Sequence, residues 1–380
     1  MRKKKNICII SAQFLPHLGG VERYTYNLGK KLVEKGHAVT VIAQNVDKTL
    51  LYEEMDGIKV YRLPCFAAMD GRLPIPKLNA DARKIHSIIS CQNYDLLIIN
   101  TRFYPLSLYG VWLGYKKKVP TIVIEHGTGH IPMTNKYIDF LGKVYEHSIT
   151  AMEKRFSPEF YGVSQASLEW LKHFHINGKG ILYNAMDMNG LTSLLEKENA
   201  HSYREKLGIP QNAILVTFTG RLLKEKGVFP LAKAVLELPA DNVYLAIAGD
   251  GEEKARLEKI ATKKICLLGS ISHAEVIALL KETDIFCLPT VYPEGLPTSV
   301  LEAAACHNYI ITTKYGGAKE LIVDDSYGMV LENNSVSLLK KALNDAIGEP
   351  ETRKNASELT YSRLLEKFTW DKVADKVLEL

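Results

Sequence analysis

Two loops carry residue types that can grip an anion. The segment Thr219-Gly220-Arg221-Leu222-Leu223-Lys224-Glu225-Lys226-Gly227 follows an apolar run and opens an expected helix. Arg221 offers a planar fork of donors and Lys226 a compact ammonium, a pairing suited to a diphosphate. The plain alternative is a solvated basic loop. Gln13 to Leu18 leads into Gly19-Gly20-Val21-Glu22-Arg23 at another helix start. Paired glycines let backbone N–H groups approach a phosphate, and a helix N-terminus adds partial positive charge, although Gly-Gly also serves as an ordinary turn. Neither loop is the Gly-x-Gly-x-x-Gly dinucleotide fingerprint, and no Gly-x-x-x-x-Gly-Lys loop occurs in the chain.

Carboxylates stand further on. Tyr292-Pro-Glu-Gly-Leu-Pro-Thr-Ser-Val-Leu-Glu302 puts Glu294 in a loop and Glu302 on the helix it opens, with Pro297 expected near the first helical position, where its missing N–H costs nothing. Ionised glutamates accept hydrogen bonds from ribose or hexose hydroxyls, so neither need act as acid or base. Their ordinary readings are an exposed helix residue and a charge near a cap. His126 and His130 are four apart, but Gly127 and Gly129 argue against the helix that would make them a zinc pair. The spacing offers no other metal cluster and no Asp-x-Asp, so cationic side chains and helix dipoles must neutralise any bound diphosphate.

These loops need a scaffold that presents them at strand ends. Short β-rich runs at Ile7 to Ala12, Ala38 to Ala43, Ile58 to Leu63, Asp95 to Asn100 and Thr121 to Ile124 alternate with amphipathic stretches such as Val21 to Glu34. A longer helix is expected over residues 134–156, then a strand at Phe160 to Val163 and a helix from Gln165 to Phe174. After a polar stretch around Glu196 to Arg204 the alternation restarts. Strands are expected at Ala213 to Phe218, Val243 to Ala248, Ile265 to Leu268, Asp284 to Leu288 and Tyr309 to Thr312, with helices near 228–238, 251–262, 273–281 and 297–306. Such βαβα order predicts mostly parallel sheets covered on both faces. Two such domains, joined near 185–205, would leave a ligand cleft at the carboxyl ends of their strands.

Composition agrees with this class. A length of 380 residues suits two domains, and 46% hydrophobic with 24% charged residues is globular rather than disordered. No apolar run approaches the roughly 18 residues of a membrane-spanning helix, and Met-Arg-Lys-Lys-Lys-Asn reads as a basic cap on a strand rather than a secretion signal. Six cysteines without Cys-x-x-Cys read as reduced thiols in a cytoplasm. Residues 1–190 hold 25 Lys+Arg against 16 Asp+Glu, and residues 191–380 hold 23 against 27. The basic first half, with clusters at Arg2 to Lys5 and Lys116 to Lys118, suits an anionic partner such as a phospholipid surface or a phosphate-bearing acceptor, or is simply a solvated face.

Taken together the motifs resemble the retaining GT-B glycosyltransferases of family 4, the glycosyl transferases group 1. The match is ordered along nearly the whole chain: Gly19-Gly20-Val21-Glu22, Glu125-His126-Gly127, Tyr161-Gly-Val-Ser164, Leu182-Tyr-Asn-Ala-Met-Asp187, Gly220-Arg221 with Lys226-Gly227, Ala248-Gly-Asp-Gly251, Leu268-Gly269, Glu294 to Glu302 and Phe368-Thr-Trp-Asp371. The resemblance implies an α/β fold of two Rossmann-like domains with parallel sheets facing across a cleft. It implies an N-terminal acceptor-binding domain (1–187), a nucleotide-sugar-binding domain (188–365) and a C-terminal helix (366–380) returning to the first domain. Arg221 and Lys226 would neutralise the donor diphosphate, Glu294 and His126 would meet the transferred sugar, and Glu302 would hold the ribose. Gly20, Gly220, Gly269, Ile271, Gly295, Leu296, Pro297 and Thr298 would line the donor, and Gly19, Glu22 and Arg23 the acceptor. The chain departs from the family pattern at the linker, where Tyr183, Ala185 and Met186 replace Pro, Gly and Val, and at Pro297, a position often held by Gly.

The implied activity is retaining, metal-independent hexosyl transfer from a nucleotide diphosphate sugar, UDP favoured over GDP, to an acceptor hydroxyl. A lipid-linked or envelope or capsule glycan acceptor is expected, in polysaccharide biosynthesis. The expected enzyme needs no cofactor, is cytoplasmic with peripheral contact to an anionic inner membrane face, and binds no nucleic acid. Two alternatives stay open: a nucleotide-sugar epimerase of the same fold, and a non-catalytic sugar-nucleotide-binding protein.

Overall fold

The computed structural model describes residues 3–17, 19–68, 71, 73–130, 136–197 and 202–380. Arg2 of the first basic cluster, Leu18, residues 134–135 of the expected long helix and residues 198–201 of the polar stretch lie outside them. The chain divides into two compact units, Met1–Asn184 with Trp370–Leu380, and Ala185–Thr369.

In the first unit the apolar runs become a sheet of eight strands. Their spatial order is Gly180–Ile181, Glu159–Gly162, Thr121–Glu125, Leu96–Asn100, Asn6–Ser11, Ala38–Gln44, Ile58–Leu63 and Tyr52–Met55. All neighbours pair in parallel except the edge strand Tyr52–Met55. Residues Ile7 to Ile10 and Leu96 to Ile99 are fully buried or nearly so, as strands covered on both faces must be. The chain builds outward from Asn6–Ser11 on one side, then returns to its other side at Leu96–Asn100. The carboxyl ends of those two strands therefore flank a crevice, the usual ligand position in open parallel sheets. The C-terminal helix Trp370–Leu378 belongs to this unit. Trp370 meets Tyr24 edge-on at 5.0 Å, and Asp371 and Asp375 face Lys31 and Lys35 of helix Gly20–Glu34.

The second unit repeats the plan with six parallel strands in the order Ile265–Gly269, Val243–Ala248, Ile214–Thr219, Ile285–Leu288, Tyr309–Thr313 and Met329–Leu331. Its switch point lies between Ile214–Thr219 and Ile285–Leu288. The helices behind it start where local chemistry directs. Ser272 and Glu275 form a reciprocal capping box on His273–Lys281.

The structure corrects several expectations. The helix expected over 251–262 shrinks to Lys254–Glu258, because Gly249 and Gly251 carry the chain through φ values of +148° and +152° before it can start. Pro297 stands next to the first helical position as expected, as the extended cap residue of helix Thr298–Ala305, which starts one residue later than placed from sequence. The Gln165 to Phe174 helix is α-helical only to Trp170 and finishes as a tighter 3-10 turn, Leu171–Phe174. The hairpin Cys65–Ala68 with Leu73–Pro76, the edge strand Met329–Leu331 and the helices Val336–Gly348 and Pro350–Lys367 were not foreseen. All six cysteines are free thiols. Among the described residues, no helix is long and apolar enough to cross a membrane.

Candidate active site

The second unit's switch point gathers the expected donor residues. Strand Ile214–Thr219 ends in Gly220 and Arg221, and the short 3-10 turn Lys224–Lys226 delivers Lys226 toward the loop that follows Ile285–Leu288. Lys226 is only 8% exposed, and its Nζ forms an ion pair with Glu294 Oε1. Thr290 Oγ donates to the same carboxylate oxygen at 3.2 Å, and the Thr290 hydroxyl also accepts from Tyr292 N–H at 3.0 Å. Both cations face one ring, with Arg221 at 5.8 Å and Lys226 at 5.6 Å from the Tyr292 centroid. Arg221 itself is exposed. A held ammonium beside a free-standing guanidinium at the ends of two central strands suits a diphosphate that spans them.

Neighbouring loops complete this edge. Gly249 N–H donates to Gly269 O at 2.7 Å and Gly220 N–H to Ala248 O at 3.0 Å, which ties three consecutive strand ends together. A side chain at Gly249 would collide with the Gly220 carbonyl, so that close approach requires glycine. Gly269 and Ile271 thereby lie on the same edge as the Arg221 loop. Gly295, Leu296 and Pro297 are buried at the start of helix Thr298–Ala305, where Gly317 N–H donates to Gly295 O. The helix has no side-chain cap, which leaves its first N–H groups and Thr298 available to an anion. Glu302, 7% exposed, lies one turn in and receives His273 Nε2 at 3.0 Å. His273, Thr290 and Tyr292 were not singled out from sequence. His273 is 29 residues from Glu302, so no local pattern links them.

In the first unit, His126 follows strand Thr121–Glu125 beside the crevice. Its surroundings define its tautomer. Thr25 Oγ1 donates to Val21 O at 2.8 Å and therefore accepts from Asn100 Nδ2, also at 2.8 Å. The Asn100 oxygen must then face His126, whose Nε2–H donates to it at 3.0 Å. Burial pushes the His126 imidazole down to about 3. At neutral pH it is an uncharged ring with an acceptor at Nδ1, unable to donate a proton as an acid. Tyr24 packs edge-on against it at 4.8 Å. Just before it, Glu125 pairs with the buried Arg102 at 2.5 Å and accepts Gly127 N–H at 2.9 Å, which pins the backbone on both sides of His126.

Gly19, Gly20, Glu22 and Arg23 form the mouth of helix Gly20–Glu34, with Gly19 as its extended cap. The Glu22 carboxylate folds back against Gly19, where it is buried and its pKa is raised by that burial. The helix mouth thus meets its own carboxylate, and the exposed Gly20 backbone is what remains open to a ligand.

The model for Glycosyltransferase Family 4 matches residues 18–189, and that for Glycosyl transferases group 1 matches residues 199–363. An uncharacterized glycosyltransferase of Methanocaldococcus jannaschii is 28% identical over 387 residues, covering 98% of this chain and 96% of that protein. The GPI3 subunit of phosphatidylinositol N-acetylglucosaminyltransferase from Saccharomyces cerevisiae is 23% identical, covering 99% of this chain and 82% of its own length. The crystal structure of Anabaena HepE in complex with UDP superposes with a TM-score of 0.75 at 20% identity, covering 98% of each chain. With the two family matches spanning both units in order, and with the doubly wound sheets these relatives share, the chain belongs to the glycosyl transferases group 1, family 4, and has the GT-B fold.

Proposed function

We propose that this glycosyltransferase moves a hexosyl unit from UDP-sugar to an acceptor hydroxyl with retention of anomeric configuration and without a metal ion. The observation that carries the reading is the pairing of buried Lys226 with the half-buried Glu294 beside Arg221 at the second unit's switch point. Departure of the nucleotide places negative charge on the β-phosphate while the sugar gains oxocarbenium character. Arg221, Lys226 and the uncapped N–H groups of the first helical turn, from Thr298 onward, stabilise that charge from fixed positions. The acceptor's proton passes to the departing phosphate on the same face of the sugar. Glu294 holds Lys226 and accepts from sugar hydroxyls, while Glu302, oriented by His273, accepts from the ribose hydroxyls. His126 Nδ1 accepts a hydroxyl from the sugar. The choice of UDP over GDP draws on HepE, which has been crystallised with UDP and with UDP-glucose.

The acceptor in this reading is a lipid-linked or envelope glycan approached at an anionic membrane surface. The yeast relative is named for phosphatidylinositol. On this chain, helix Lys136–Lys154 exposes Tyr137, Phe140 and Leu141 at 64% or more, and it packs against helix Pro105–Lys117, which ends in the basic Lys116 to Lys118. Exposed aromatic and aliphatic side chains together with a lysine cluster on one unit suit a headgroup interface.

The product's anomeric proton, followed by NMR with UDP-sugar and a model acceptor in EDTA, tests the reaction. Retention with undiminished turnover is expected. Inversion, or a strict need for added Mn²⁺, would contradict it. Vesicle co-sedimentation that ignores anionic lipid content and salt would remove the membrane part alone.

A further inference from the structure

Apart from the residues assigned to the donor, three histidines from separate elements of the first unit converge. His130 lies in the segment that follows strand Thr121–Glu125, His147 lies on helix Lys136–Lys154 and His173 on the turn Leu171–Phe174. His173 Nε2 stands 3.2 Å from His130 Nε2 and 3.2 Å from His147 Nε2, and the three ligand nitrogens all lie within 4.8 Å of one another. Two imidazole nitrogens bound to one tetrahedral zinc at its usual bond length stand about 3.3 Å apart. The sequence spacing had pointed to no metal cluster, since these positions are 17 and 26 residues apart and only the fold brings them together.

Their hydrogen-bond partners favour a cation over a purely aromatic cluster. His130 Nδ1 contacts the buried Glu146 carboxylate, so its N–H points at that oxygen and its Nε2 lone pair faces the other rings. Metal-bound histidines commonly have such a carboxylate behind them, which fixes tautomer and ring orientation. His173 Nε2 can carry one hydrogen at most, so a linear hydrogen bond reaches only one of its two imidazole neighbours. A cation between them satisfies all three lone pairs. Trp170 holds the His173 ring in place, stacked at 4.7 Å with planes 7° apart, and receives the edge of His130 at 5.0 Å.

We propose that His130, His147 and His173 bind one borderline divalent cation, with Zn²⁺ as the fitting ion and a fourth position open to water. All-imidazole ligation suits Zn²⁺ and its neighbours rather than Mg²⁺ or Ca²⁺. Bound there, the ion ties the segment that follows His126 to helix Lys136–Lys154 and the Leu171–Phe174 turn. It takes no part in neutralising the diphosphate, which Arg221 and Lys226 of the other unit meet, so the site stands or falls separately from the reaction proposed above.

The test uses the full chain without an affinity tag, stripped with EDTA and titrated with Zn²⁺ by calorimetry and with Co²⁺ by visible absorption. One ion per chain at a dissociation constant of about 10 μM or tighter, a four-coordinate Co²⁺ spectrum and a raised melting temperature with Zn²⁺ are expected. His147→Ala and His173→Ala, both at exposed positions that tolerate truncation, should each weaken binding at least tenfold, and Glu146→Gln by about 10- to 100-fold. His86→Ala should leave binding unchanged. Binding weaker than about 1 mM, a six-coordinate Co²⁺ spectrum, or unchanged affinity in both His147→Ala and His173→Ala would overturn the proposal.

Discussion

Exchanging Lys226 for methionine keeps the apolar stem in the turn Lys224–Lys226 and deletes only the ammonium. Lys226 is 8% exposed and its ammonium pairs with Glu294, so it acts where water screens little. A charge-assisted hydrogen bond contributes about 1.5–3 kcal/mol, so losing one to the donor diphosphate predicts a fall of about 10- to 150-fold in kcat/KM. A second effect adds to the first. Glu294 loses its ion-pair partner and its charge then opposes the incoming diphosphate, so the single variant overstates the direct contact. Lys226→Met with Glu294→Gln removes that repulsion and should recover part of the UDP affinity without recovering sugar transfer, because the carboxylate that meets the sugar is gone. Initial rates with UDP-sugar and UDP calorimetry separate the two effects. If Lys226→Met keeps both kcat/KM and UDP affinity within threefold of the parent, the ammonium does not touch the diphosphate and the reasoning fails.

Other consequences follow from the same geometry. Glu302→Ala should weaken UDP at least tenfold by calorimetry, and His273→Ala, which only orients Glu302 at 3.0 Å, severalfold with kcat for saturating donor preserved; equal and unchanged affinities would remove the ribose role. His126 is held down to about 3 by burial, so the pH profile of kcat/KM should carry no limb from it between pH 5 and 9, and Asn100→Leu, which frees its tautomer, should lower kcat without adding one. Glu153 is pushed up to about 8 by burial, which outweighs the nearby Arg102, from an ordinary value of 4.5. Between those values the folded state holds a proton that the unfolded chain has released, so this group's contribution makes stability fall as pH rises, by at most about 1.4 kcal/mol per pH unit. Glu153→Gln should flatten that slope in denaturant titrations from pH 5 to 8, and an unchanged slope would contradict it.

The strands were legible because parallel strands covered on both faces must be continuous apolar runs. Val243–Ala248 stands where the sequence placed it, and so does Ile58–Leu63, whose alternation of buried and more exposed residues marks a strand in another way. What hid the hairpin Cys65–Ala68 with Leu73–Pro76 is its prolines, Pro64, Pro74 and Pro76, which argue against a strand when read locally. Helix Pro350–Lys367 is polar nearly all round and buries only Ala356, Ser357, Thr360 and Leu364, too narrow a stripe to show as periodicity. Within the candidate site, Arg221, Lys226, Glu294 and Glu302 could be named because each sits near a glycine or proline that marks a loop at a strand end. Their orienting partners could not. His273 reaches Glu302, and Asn100 reaches His126, across 29 and 26 residues that only the strand order brings together. The histidine trio was missed for the same reason.

Whether the second unit's central strand ends grip the nucleotide can be seen directly in a crystal structure of the chain with UDP. The account predicts the diphosphate against Arg221 and Lys226, with the ribose hydroxyls on Glu302 and the uracil along Gly269 to Ile271. A nucleotide well ordered anywhere else, with Lys226 still turned only toward Glu294, would contradict it.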